Sequence, residues 1–168
     1  MSYGSAAAIS GAAVPLMNPA AALLTQSKRF PLVWDRLATA LPMWRRLLPA
    51  TRDPRHADWR RDDLWVLKPA LGRVGDSIGI RGVTATKEWA SIARGARWFP
   101  RHWVAQRRFE ATPLPTPDGP GYPCFGVYTV DGRAAGIYGR IAGVPLVNHL
   151  SRDVAVLVPD EPEREARP

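Results

Sequence analysis

A chain of 168 residues, 46% hydrophobic and carrying seven tryptophans, is long enough for one domain with a real core and short for a multi-domain enzyme. Its net charge of +8 would suit nucleic acid or an anionic small molecule, but all except three of the 23 basic residues are arginine in an Ala-, Gly- and Pro-rich chain. A solvated arginine surface therefore accounts for the charge, and nucleic-acid binding stays the weaker alternative. The lone Cys124 excludes an internal disulfide framework and fits a reducing cytoplasm, and no run reaches the roughly 18–20 apolar residues of a membrane span.

The opening MSYGSAAAISGAAVPL lacks the basic start of a secretory signal, so residues 1–13 read as a poorly ordered N-terminus. From Pro19 to Leu41, apolar residues recur at mixed spacings of three and four, which predicts a helix with Asn18 as N-cap and a division at Pro31. Leu47 to Asp63 is polar and contains proline, and reads as an exposed connection with one helical turn. LWVLKPA then predicts a buried strand, and SIGIRGV an alternating one, with a glycine-containing loop between them. Thr84 to Ala96 predicts an amphipathic helix and HWVAQRRFE a further strand.

Ala111 to Pro123 is dense in proline and glycine and reads as a loop. Two strand-like runs flank Asp131-Gly132, the strongest hairpin signal in the chain, because both central residues of a tight type I′ turn need positive φ. Residues 159–168 are charged and proline-rich and are expected to be disordered.

The loop between the two strands, LGRVGDS, matches neither G-x-G-x-x-G nor a P-loop, and no helix N-terminus follows it at once. It is either an ordinary glycine hairpin or a loop whose backbone N–H groups can approach an anion, with Lys68 and Arg73 beside it. Lys28, Lys68 and Lys87 are the only lysines, and a compact ammonium suits a point contact to phosphate. Gln106, next to Arg107 and Arg108, could pair with a base edge or simply face solvent. Arg140 could hold phosphate or carboxylate, or lie exposed on a strand. Three scattered histidines support neither a metal cluster nor a catalytic triad.

Four blocks in order, VPLMNPAAALLTQSKRFPLVWDRL, VLKPALGRVGDSIGI, WVAQRRFE and GVYTVDGRAAGIYGRIAGVPLVNHLSRDVAVLV, resemble the C-terminal half of the glutathionylspermidine synthase family over about Val14 to Val158. The resemblance implies a partial ATP-grasp fold of the α/β (α+β) kind, mainly antiparallel sheet with flanking helices, with residues 14–158 as its nucleotide-binding portion. It implies an ATP-dependent carboxylate-amine ligase, in which ATP phosphorylates a carboxylate and an amine displaces phosphate to leave an amide. The acid would be glutathione-like or a peptide, and the amine polyamine-like.

By motif, Lys28 and Lys68 would contact ATP phosphates, and Gly72, Arg73, Val74 and Gly75 would fold over them. Ala105, Gln106, Arg107 and Arg108 would line the adenine side, Leu146 and Val147 would form an apolar wall, and Arg140 would stabilise the transferring phosphoryl group. The family's Mg²⁺ ligands, an aspartate and a Glu-x-Asn pair, belong upstream of the lysine block, and the sequence contains no Glu-x-Asn. The expectation is thus a truncated or split ligase with a missing N-terminal half, or an inactive ATP-binding remnant.

Overall fold

The computed structural model describes residues 22–73 and 75–158. They are α+β and divide after Phe109 into two compact units. The expected disorder of residues 1–13 and 159–168 and the proposed Asn18 cap lie outside the described residues.

The first unit opens with a short helix α1 (Ala22–Thr25), a 3-10 segment Phe30–Arg36 and a helix α2 (Pro42–Leu47). This corrects the helix expected over Pro19–Leu41. Pro31 sits in the first turn of the 3-10 segment and Pro42 in that of α2, where a fixed φ and a missing N–H are tolerated, so each proline starts a new short element. Leu37 is extended, with ψ of 142°, and ends the 3-10 segment.

The supposedly exposed connection is also corrected. It contains strand β1 (Thr51–Arg52) and a 3-10 turn Pro54–His56, and Asp53, Pro54 and Trp59 are buried within it. Asp53 caps that turn by accepting from the Arg55 N–H at 3.0 Å.

Strand β2 (Trp65–Pro69), helix α3 (Thr86–Trp98), a 3-10 turn Pro100–His102 and strand β3 (Trp103–Arg107) complete the unit. The strands form an antiparallel sheet in the order β1-β3-β2. Side chains alternate across a strand, so one face carries Trp65, Leu67 and Ala105, which pack with Ile92 and Ala96 of α3 and with Trp59. The opposite face carries Lys68, Val104 and Gln106.

The strand expected for SIGIRGV reduces to a single bridge between Leu67 and Gly79, made by reciprocal N–H to carbonyl bonds of 2.9 and 2.8 Å. A turn with Gly82 at φ +80° then leads away from it into α3. At Gly79 a Cβ would lie 2.9 Å from Ile92 and 3.0 Å from the Trp89 ring, so this glycine lets α3 settle on the bridge.

In the second unit β4 (Leu114–Thr116), β5 (Gly119–Val130), β6 (Arg133–Ala142) and β7 (Arg152–Val154) form an antiparallel meander in chain order. The loop expected over Ala111–Pro123 is therefore a correction as well. Its prolines are accommodated because Pro115 and Pro120 face each other in the register, where neither is asked for a cross-strand N–H. The hairpin at Asp131-Gly132 forms as expected, with φ of 50° and 76° at its two central residues. Gly126 lies opposite Tyr138, whose ring fills the space a Cβ would need and tilts against Tyr128 at 5.4 Å.

Candidate functional site

The site is built on the face of the first sheet turned away from α3. Lys68, the fourth of the five residues of β2, donates from Nζ to Gln106 Oε1 at 2.6 Å. An ammonium can only donate, so the amide presents its oxygen there and turns its nitrogen to Thr51 Oγ1 at 2.9 Å. Thr51 passes its own proton to the Pro49 carbonyl at 3.1 Å. One polar chain thus crosses β2, β3 and β1.

Lys28 approaches from the segment after α1. Its backbone N–H bonds the Ala70 carbonyl at 2.8 Å and its Nζ donates to the Gly72 carbonyl. The neighbouring Arg29 anchors that segment: its guanidinium reaches Asp53 at 2.8 Å, the Trp103 carbonyl at 2.8 Å and the Pro100 carbonyl at 3.1 Å. Asp53 is also bound by Arg55 at 2.9 Å. Hydrogen bonds from Arg55 and Arg29 hold the Asp53 carboxyl well below its ordinary range, against the opposing effect of burial.

Lys28 and Lys68 both titrate below an ordinary lysine. Burial is the cause at Lys28, and at Lys68 burial acts first and the charge of Lys28 second. Their hydrogen bonds go to neutral oxygens, so neither charge is balanced by the group that holds it. Such a pair favours an arriving anion, since a negative charge relieves both the desolvation and the mutual repulsion.

Both lysines and Gln106 line a cavity of about 580 Å³ whose other walls are mostly apolar, including Phe30, Trp34, Leu41, Trp44 and Leu48. Val104 forms part of its floor. The glycine loop borders two further hollows. One, of about 710 Å³, lies among Gly72, Arg73, Asp76, Arg101 and His102, and a smaller one of about 370 Å³ lies among Gln26, Leu71, Gly72 and Arg73. Gly75 has φ of 74°, and at Gly72 a Cβ would overlap the Pro69 ring, so the loop's course requires both glycines. Val74 lies outside the described residues.

Of the run Ala105 to Arg108, the cavity receives only Gln106. Ala105 is wholly buried in the core, and Arg107 is held by Asp62 with its guanidinium over the Trp65 ring. Arg108 is half-buried and donates its backbone N–H to the Leu64 carbonyl at 2.7 Å. Arg140 belongs to the second unit, where Asp153 binds it at 2.9 Å and raises its pKa further. Leu146 and Val147 lie half-buried in that unit, after β6.

Sequence reasoning missed Trp34, Thr51 and the Asp53 anchor. An Asp directly before a proline is a usable cap signal and could have flagged Asp53; nothing in the local sequence separates Trp34 from an ordinary core aromatic. Among the described residues no group of three or more His, Cys, Asp or Glu could hold a metal ion, and no helix is long and apolar enough to cross a membrane.

No curated protein and no solved structure shows significant similarity to the chain. The family model described as glutathionylspermidine synthase preATP-grasp matches residues 2–159, nearly the whole sequence and every element of the lysine-lined cavity. The chain belongs to the glutathionylspermidine synthase preATP-grasp family.

Proposed function

We propose that the chain binds ATP in the lysine-lined cavity, as the nucleotide-binding portion of an ATP-grasp carboxylate-amine ligase. The observation that carries this reading is the convergence of Lys28 and Lys68 on one largely apolar cavity, each bound, among the described residues, to a neutral oxygen and each titrating low. ATP combines an apolar base with a polyanionic tail and meets both demands of such a cavity.

Lys68, fixed by Gln106, would hold a phosphate oxygen from the sheet. Lys28 would hold a second from above, beside the glycine loop. Phosphoryl transfer needs mainly this kind of positioning and charge stabilisation. The acid substrate would be glutathione-like or a peptide and the amine polyamine-like, as family membership suggests.

Calorimetric titration with ATP tests the reading. Lys68→Ala should weaken binding about tenfold to a hundredfold, the worth of a hydrogen bond to a charged group. Failure of the unmodified chain to bind ATP would refute the proposal. ADP release that requires both an acid and an amine would establish the ligase, whereas binding without such release would confine the chain to nucleotide binding.

A further inference from the structure

We propose that the hollow beside the glycine loop is a binding site for a free α-amino acid, whose carboxylate is held by Arg73 and Arg101 and whose ammonium is held by Asp76. The inference goes beyond the ATP reading and does not rest on it. The hollow, of about 710 Å³, is lined by Arg73 and Asp76 from the loop after β2 and by Arg101 and His102 from the 3-10 turn before β3. Arg73 lines this hollow and not the lysine-lined cavity.

Backbone contacts tie the two walls together. The Ala70 N–H donates to the His102 carbonyl at 2.8 Å, and Pro69 faces Trp103 in the β2–β3 register. On the loop side, the Asp76 N–H closes a turn on the Arg73 carbonyl at 2.9 Å. The residues flanking Asp76 both carry positive φ, 74° at Gly75 and 54° at Ser77. Serine gains nothing from that region, and strain of this kind gathers at binding sites, where it is kept for the position it gives a neighbour.

The charges then select the ligand. Arg29, Arg45, Arg55, Arg81 and Arg107 of the same unit each hold an aspartate. Arg73, Arg101 and Asp76 share one hollow, yet among the described residues none of them forms an ion pair. Guanidiniums present forks of donors that match a carboxylate, whereas Asp76 disfavours a phosphate and accepts an ammonium. An α-amino acid carries both groups on one carbon, so a single ligand answers all three side chains. Pro69, Leu71 and Trp103 supply an apolar wall for the rest of it.

The test is an amide chemical-shift titration of the full chain with each standard L-amino acid in turn. At least one should shift the Arg73, Asp76, Ser77 and Arg101 amides saturably. Its N-acetyl derivative lacks the ammonium and its carboxamide lacks the carboxylate, and each should bind about tenfold more weakly or worse, the worth of a hydrogen bond to a charged group. Asp76→Asn should erase the preference for the amino acid over its N-acetyl derivative, and Arg101→Gln the preference over its carboxamide. Both side chains are exposed, so neither substitution disturbs the core.

Absence of a saturable shift with any amino acid would overturn the proposal, as would equal binding of the N-acetyl derivative. Inorganic phosphate that shifts these amides where amino acids do not would make the hollow a phosphate site and overturn it too. Each outcome is read at the loop and the turn, so it decides the matter whether or not the chain binds ATP.

Discussion

Lys68 and Gln106 lie on the same face of adjacent antiparallel strands, 2.6 Å apart from Nζ to Oε1, and the amide that steadies the ammonium brings no negative charge to it. A half-buried cation satisfied by a neutral acceptor is a binding device kept at the expense of stability. Gln106→Leu should destabilise the chain by roughly 2 kcal/mol, because the ammonium loses its acceptor. The double variant Lys68→Met/Gln106→Leu should recover that loss and melt at or above the unmodified chain, since Thr51 keeps its bond to the Pro49 carbonyl. Thermal unfolding of the two variants measures the coupling, and ATP should not bind the double variant.

The same lysine predicts an alkaline effect. Its folded pKa lies below the ordinary 10.5, so in the interval between those two values the unfolded chain holds more protons than the folded one. Stability contributed through Lys68 therefore rises as pH rises through that interval and is constant on either side. Unfolding measured from neutral pH to pH 11 should show a more favourable trend in the unmodified chain than in Lys68→Met/Gln106→Leu.

Asp53 works in the opposite sense. Its carboxyl titrates below the ordinary 3.8, so its contribution is complete above that value and drains away as pH falls toward the lower folded pKa. Asp53→Asn should lower stability at neutral pH by about 2 kcal/mol, because Arg29 loses its anionic partner while its carbonyl contacts remain. Below pH 4 the gap between the two proteins should begin to narrow, so denaturant titrations should give a smaller difference at pH 3 than at pH 7.

Gly79→Ala tests the seating of α3. The new methyl would meet Ile92 and Trp89 at 2.9–3.0 Å, and overpacking of this kind costs about 1–3 kcal/mol. Amide exchange should quicken at Leu67 and Gly79, whose reciprocal bonds form the bridge.

In the second unit, Gly132→Ala places a Cβ at φ of 76° and should cost about 1–2 kcal/mol. Asp131→Asn should be neutral or better, since asparagine adopts a left-handed turn readily. Exchange rates along β5 and β6 would distinguish the two substitutions.

The features legible in the sequence were those written locally. The Asp131-Gly132 turn, the apolar run of β2 and the period of α3 each depend on neighbours a few residues away. The short elements from Phe30 to His56 were not legible, because prolines start them and tertiary contacts such as Arg29 to Asp53 hold them. Lys68 and Gln106 could be named as candidates, but their meeting depends on the β2–β3 register, which no local pattern encodes. The Trp34 indole nitrogen, buried without a hydrogen-bond partner among the described residues, is less legible still: a tryptophan in an apolar stretch looks the same whether or not its N–H finds a partner inside the protein.

The proline of β4 has a consequence beyond the shape of its hairpin. β4 is the outermost strand of its sheet, and Pro115 occupies a register position whose N–H would otherwise point outward. A foreign strand arriving at that margin finds a carbonyl to meet but no hydrogen to share. The segment that looked too rich in proline to be a strand thereby shields the sheet from edge-to-edge aggregation.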